Sequence, residues 1–388
     1  MSYDIAYLSY DNDDQGLMDR STHILNDFFS TANYTIKKDE GQVLFVASGG
    51  SERQAVQLTK EHQNITILCH REHNSYAAAI EIAAFLRAQT KRVKIINVSE
   101  PDAFREFEMI QKINQLLEEF AQQKAALIGE VSDWLIISDV ESKLVKEKLG
   151  IELKRIPWDK LPSYHDQEPS AEFLEHFPNA TYNRLKETAK VYALLKEVIN
   201  ENDLSAISVE CFSMVIREKV TACLPLAVLN KKNIVAACEG DICSLLGMML
   251  IRGISKEVPW MANVAEIKEE TVLFAHCTAP LHMLKSFEIA THFETNCGTA
   301  IKGKIEKQKV GVFRINNALD KYMLLQGAVI ATPDHDFACR TQIELKTGKE
   351  QAKLLKELSL GNHQLIFPAK HIPMLECMMQ TLNISRIN

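Results

Sequence analysis

The first hundred residues alternate short apolar runs with amphipathic stretches. The runs are YDIAYLSY, QVLFVAS, ITILCH and VKIINV, and between them lie helical patterns such as Tyr76 to Ala88. Strand patterns alternating with helical ones predict parallel βαβ units. From Ala103 to Lys124 the chain is polar but periodic, with Ile110, Ile113, Leu116, Leu117 and Phe120 on one face. That spacing predicts a helix leaving a first domain near residue 124.

A second α/β unit is expected from Ala125. Its candidate strands are AALIGE, ELKRI, AISVECF, NIVAAC and TVLFAH. A polar loop with two prolines, Asp159 to Ser170, precedes a long helical stretch from Ala171 to Asn200 that breaks near Pro178. From about Phe287 the pattern changes. GTAIKGKIEKQKVGVFRI, YMLLQGAVIA and FACRTQIEL alternate and are rich in β-branched residues, which predicts an antiparallel, barrel-like domain. Gly348 to Glu357 reads as a short helix before a glycine turn. The expected fold is α/β: two parallel-sheet α/β domains, 1–124 and 125–286, followed by a β-rich barrel-like C-terminal domain, 287–388.

Bulk properties remove options. A chain of 388 residues is long for one core. Its 46% hydrophobic and 24% charged residues are an ordinary globular balance. A net charge of −7 with dispersed Lys and Arg argues against a nucleic-acid partner. No apolar run reaches the ~18 residues of a membrane span, and the start, MSYDIAYLSYDNDD, lacks a basic segment followed by an apolar one. A cytoplasmic protein is therefore expected. The nine cysteines are scattered, lack CxxC spacing, and read as small buried hydrophobes.

The candidate chemistry lies where apolar runs stop. Ile234 to Cys238 ends at Glu239-Gly240-Asp241, and a helical pattern follows directly. A carboxylate at the carboxyl end of a strand is where open α/β sheets place their sites. Asp241 reads as the cap of the following helix. Thr271 to Ala275 ends at His276, and GNHQLIFPAKH places His363 after a glycine turn. Acids and histidines at such edges suit a hard metal and a polar substrate. Trp134 offers an aromatic face for a sugar or a core tryptophan. Arg340 is either a ligand contact or a solvated strand residue. His292 and Cys277 read as packing, and SGGS at Ser48 as a tight turn. His70 and Asn74, at a strand end, could line a neighbouring subunit's pocket.

CEGD, WMAN, FAHCTAP, THFETNCGTAIKG and the terminal GNH together resemble the L-fucose isomerase and L-arabinose isomerase superfamily, over roughly residues 125 to 388. The resemblance implies a metal-dependent aldose–ketose isomerase acting on a small-molecule sugar, assembled as a trimer or hexamer. It implies Glu239 as a metal ligand and proton-transfer group, His363 as a second ligand and Asn263 as a weakened third. His276, directly after its strand, reads either as a donor to a sugar hydroxyl or as a buried, hydrogen-bonded histidine. Mn²⁺ suits such oxygen-rich ligation with one imidazole. The chain departs from the pattern at Asn263, where those isomerases carry an aspartate. An amide oxygen can bind a hard metal but is no base. A sugar-binding homologue without catalysis is thus the alternative, with a metal-dependent hydrolase or aldolase a third reading.

Overall fold

The computed structural model describes residues 2–11, 13–30, 32–37 and 41–388. It divides into two compact units, residues 1–115 with 380–382 and residues 116–379 with 383–388. In the first unit, parallel strands run in the order Asn33–Lys37, Ser2–Leu8, Val43–Val46, Asn64–Cys69, Arg92–Asn97. The central strands are continuously apolar because both faces are covered. Helix Ser75–Ala88 contributes Ala78, Ala79, Ile82, Ala83 and Leu86 to that core. Strand Asn33–Lys37 escapes a reading by pattern. As an edge strand it alternates exposed and half-buried positions and carries little apolar signal. The expected helix from Ala103 ends at Ala121, and its apolar stripe is buried.

The second unit holds the three remaining sheets. Parallel strands Glu152–Ile156, Lys124–Ile128, Ala206–Val209 and Val235–Cys238 lie side by side in that order. Antiparallel strands follow in the order Lys309–Ile315, His363–Pro368, Trp260–Ile267, Thr271–His276, Thr341–Lys346, Lys321–Ala331. The first and last of these also pair, so the sheet closes into a six-stranded barrel. The α/β-plus-barrel fold class is thereby observed.

One strand changes sheet relative to expectation. TVLFAH belongs to the barrel, which begins at Trp260, and not to the parallel sheet. Its run is buried from Val272 onward, and a strand covered on both sides reads alike in either setting. Leu284–Ala290 and Ala300–Ile305 form a separate hairpin. Two helices stand where one broken helix was expected, Ala171–Leu174 and Tyr182–Glu201. The apolar C-terminal helix Ile372–Thr381 lies in the stretch expected to be β-rich.

Helix Ile242–Ser255 joins the parallel sheet to the barrel. It is apolar around most of its circumference, as a helix enclosed on all sides must be. Gly247 lets it approach the barrel: a Cβ there would lie 2.5 Å from Leu365 Cδ1 and 3.4 Å from the Phe313 ring. The N-terminus of this helix therefore meets the end of the barrel where Arg314 and His363 sit.

Candidate functional site

Strand Val235–Cys238 ends in two left-handed residues, Glu239 at φ 61° and Gly240 at φ 71°. Glycine is required at the second. Any Cβ there would collide with the Glu130 carbonyl and lie 2.9 Å from Val131 Cα. The turn is tied down by Gly240 N–H donating to the Val209 carbonyl (3.2 Å) and Ser132 N–H donating to the Glu239 carbonyl (3.1 Å). It leaves Asp241 as the helix cap, with its carboxylate accepting from Ser244 N–H at 2.7 Å.

Asp241 also does more than cap. Its Oδ2 accepts from Arg314 at 2.7 Å and faces His363 Nδ1 at 2.9 Å. The side chains of Asp241, Arg314 and His363 are fully buried. Arg314 further donates to Ser244 Oγ (2.7 Å) and Ser138 Oγ (2.8 Å). Burial alone would raise the Asp241 pKa, but Arg314 and then His363 hold it well below the carboxylate range.

Barrel register supplies the histidines. Asn263 pairs with His363 on one side and Ala275 on the other, so His276 follows directly on the neighbouring strand. Their Nε2 atoms converge on Glu239 Oε1, at 3.6 Å from His363 and 3.7 Å from His276. These separations exceed a hydrogen bond, and among the described residues neither buried nitrogen has a hydrogen-bond partner. The three donor atoms lie within 4.8 Å of one another. Glu239 Oε2 accepts from Trp134 Nε1 at 2.7 Å, and its side chain is only 14% exposed. Burial pushes the Glu239 pKa up, but His363 and His276 overcome it and hold it well below the ordinary range. His363 is raised to about 9: burial lowers it, and Glu239 and Asp241 more than offset this.

The imidazoles are held differently. His363 Nδ1 faces the ionised Asp241 and donates to it, so once one proton is lost its Nε2 offers a lone pair. His276 Nδ1 accepts from Thr278 N–H at 3.1 Å, so its remaining proton sits on Nε2. His363 Nε2 could thus serve as a metal ligand, and His276 Nε2 as a hydrogen-bond donor. The donor set fits a divalent cation at Glu239 and His363.

The other expected residues lie around this centre or apart from it. Asn263 stands in strand Trp260–Ile267; its Oδ1 accepts from Asn362 at 2.6 Å and its Nδ2 faces Cys339 Sγ at 3.9 Å. Trp134 is half-exposed and meets Phe212 edge-on. Arg340 precedes its strand. It donates to the Thr291 carbonyl (2.7 Å), Thr291 Oγ1 and Asn296 Oδ1, and stacks over Phe293. In the other unit, buried His70 faces the Ala47 carbonyl at 3.1 Å, and Asn74 adopts a left-handed turn before helix Ser75–Ala88. Arg314 is the residue that sequence reasoning missed. Its signal was parity, since it shares a strand face with Val310 and Val312.

Fold and site together define an α/β-plus-barrel protein with a buried carboxylate–imidazole centre. No protein-family model matches the chain. It is similar to sulfoquinovose isomerase of Alkalicoccus urumqiensis, 26% identical over 180 residues, covering 43% of this chain and 41% of that protein. It is also similar to the sulfoquinovose isomerases of Priestia aryabhattai and Priestia megaterium, each 22% identical over 275 residues, covering 66% of this chain and 62% of theirs. The matched region thus spans less than two thirds of these relatives. Those relatives are by name sugar isomerases, and their names do not specify the L-fucose isomerase group.

Proposed function

We propose that the chain is an aldose–ketose isomerase working through an ene-diol, with a divalent cation, Mn²⁺ by preference, held by Glu239 and His363. The observation that carries this reading is the pair of buried Nε2 atoms, unpartnered among the described residues, around one Glu239 oxygen. The sugar-isomerase names of the relatives support it. When bound, the cation would supply Lewis acidity toward two vicinal sugar oxygens and stabilise the charge of the ene-diol.

The protein's own groups divide the remaining work. Asp241, locked by Arg314, orients His363. Trp134 fixes the second oxygen of Glu239 and leaves half of its surface for the substrate. Glu239 is ionised and moves the proton between C1 and C2. His276 Nε2–H is placed to donate to a sugar oxygen. Asn263, a neutral amide, cannot be a second base. That favours one competing reading, a sugar-binding homologue without turnover.

Incubation with Mn²⁺ and a panel of aldoses in D₂O, including L-fucose and sulfoquinovose, decides between them. Deuterium entering C2 with ketose formation supports the isomerase. Saturable sugar binding without exchange would establish the binding protein instead. We also propose a homo-oligomer, a trimer or hexamer, located in the cytoplasm; a stable monomer in sedimentation at micromolar concentration would refute the assembly. Among the described residues no helix is long and apolar enough to cross a membrane.

A further inference from the structure

Beside the Glu239 centre stands a second set of donors of different chemistry. Cys277, at the end of strand Thr271–His276, Cys339, just before strand Thr341–Lys346, and Glu294, in the turn after the hairpin strand Leu284–Ala290, bring two sulfurs and a carboxylate oxygen within 4.8 Å of one another. Cys339 Sγ lies 3.4 Å from Glu294 Oε1. The other Glu294 oxygen is 3.1 Å from His292 Nε2, and His292 Nδ1 is 3.1 Å from Thr295 Oγ1. Both cysteines and His292 are buried, whereas the Glu294 side chain is 42% exposed. These groups and Glu239 line one small cavity.

We propose that Cys277, Cys339 and Glu294 form a site for a thiophilic divalent cation, zinc by preference, distinct from the Glu239–His363 centre. Two thiolates and a carboxylate match the donors zinc takes, and a fourth position is left for water or a substrate oxygen. Tetrahedral coordination at zinc–sulfur and zinc–oxygen lengths needs donor–donor separations of about 3.5 to 3.8 Å. The Cys339–Glu294 distance is already close to that, and the exposed Glu294 arm can close the rest. His292 orients the carboxylate from outside, as a second partner commonly does at metal sites. Asn263 supports the same charge pattern. Its N–H points at Cys339 Sγ, where it would stabilise a thiolate; an aspartate at 263 would repel one. Loading replaces the two thiol protons, released to solvent, by two metal–sulfur bonds.

Cobalt(II) titration of the reduced protein tests this independently of the isomerase reading, because the Glu239 centre contains no sulfur. The expected result is an intense thiolate-to-cobalt charge-transfer band saturating at one equivalent and reversed by zinc. It should persist in Glu239→Gln and vanish in the Cys277→Ser, Cys339→Ser double variant. Absence of the band, or its persistence in the double variant, overturns the proposal. Should the double variant fail to fold, Glu294→Gln decides. It is expected to weaken cobalt binding at least tenfold with an unchanged circular dichroism spectrum, and unchanged affinity overturns the site.

Discussion

The two donor clusters share a cavity but are built on opposite plans. The Glu239 cluster rests on a fully buried scaffold, in which Asp241 is held by Arg314, Ser244 and His363 at once. The Cys277 cluster hangs on a turn whose carboxylate is half in solvent. The first is preorganised, with donor atoms already aimed and their outer partners fixed. The second must draw in one arm. Preorganisation favours a reacting centre, where misplacement is costly; a movable arm suits a soft cation that enters with its own bond energy.

The largest separation of the two comes from Glu239→Gln. A neutral amide keeps the shape but removes the charge that the proposed metal ligand and proton carrier needs. Deuterium exchange into sugar C2 should fall by at least about a thousandfold, while the cobalt–thiolate band stays. Exchange persisting near the original rate would remove Glu239 from the chemistry.

Arg314→Met attacks the scaffold. It leaves Asp241 ionised and buried without its main counter-charge, which typically costs about 3–5 kcal/mol. Denaturant unfolding should show a loss of that size. If the variant is less destabilised than about 1 kcal/mol, Arg314 is not what holds the first centre.

Legibility differed between the clusters in the same way. Glu239 could be picked out because an apolar run stops abruptly at Glu-Gly-Asp, and His363 because a glycine turn precedes it. Both signals are local. The Asp241–Arg314–His363 network joins residues 73 and 122 positions apart, and no local pattern encodes that pairing. Asp241 read correctly as a cap, yet a cap alone does not reveal that it also orients a histidine. The barrel's extent was hidden for a related reason. A strand buried on both faces, TVLFAH, carries no alternation to say which sheet it joins. Cys277 and Cys339 look like packing in sequence because thiols are mostly that, and Glu294 joins them only through the fold.

A pH series sharpens the contrast more gently. In the metal-free centre His363 has a pKa of about 9, so it carries its extra proton at neutral pH. A cation at Nε2 must displace that proton. Affinity of the first centre for Mn²⁺ should therefore rise up to about tenfold per pH unit from pH 7 and level off near 9. The stabilising contribution of protonated His363 runs the opposite way in the metal-free protein. It is complete below the unfolded imidazole value of about 6.5 and lost as pH rises through about 9. Calorimetry in buffers of different ionisation heat should count close to one proton released from His363 per Mn²⁺ at pH 7. Release near zero would mean that His363 is not a ligand.

The smallest effect joins the two clusters. Asn263 lies between them, paired in register with His363 and with its amide N–H on Cys339. Asn263→Asp adds one negative charge there. At about 4 Å and high effective dielectric a unit charge is worth roughly 1 kcal/mol. Mn²⁺ binding at the Glu239 centre should tighten about fivefold. Cobalt at the thiolates should weaken by a similar factor, because the charge raises the thiol pKa values and the N–H donor is lost. Titrating each cation into the single variant reads both changes. Opposite signs would show that the residue at 263 sets the balance between a hard and a soft site. Tightening of both would mean that attraction between the added carboxylate and the metal dominates wherever the cation sits, and that the amide was not there to favour a thiolate.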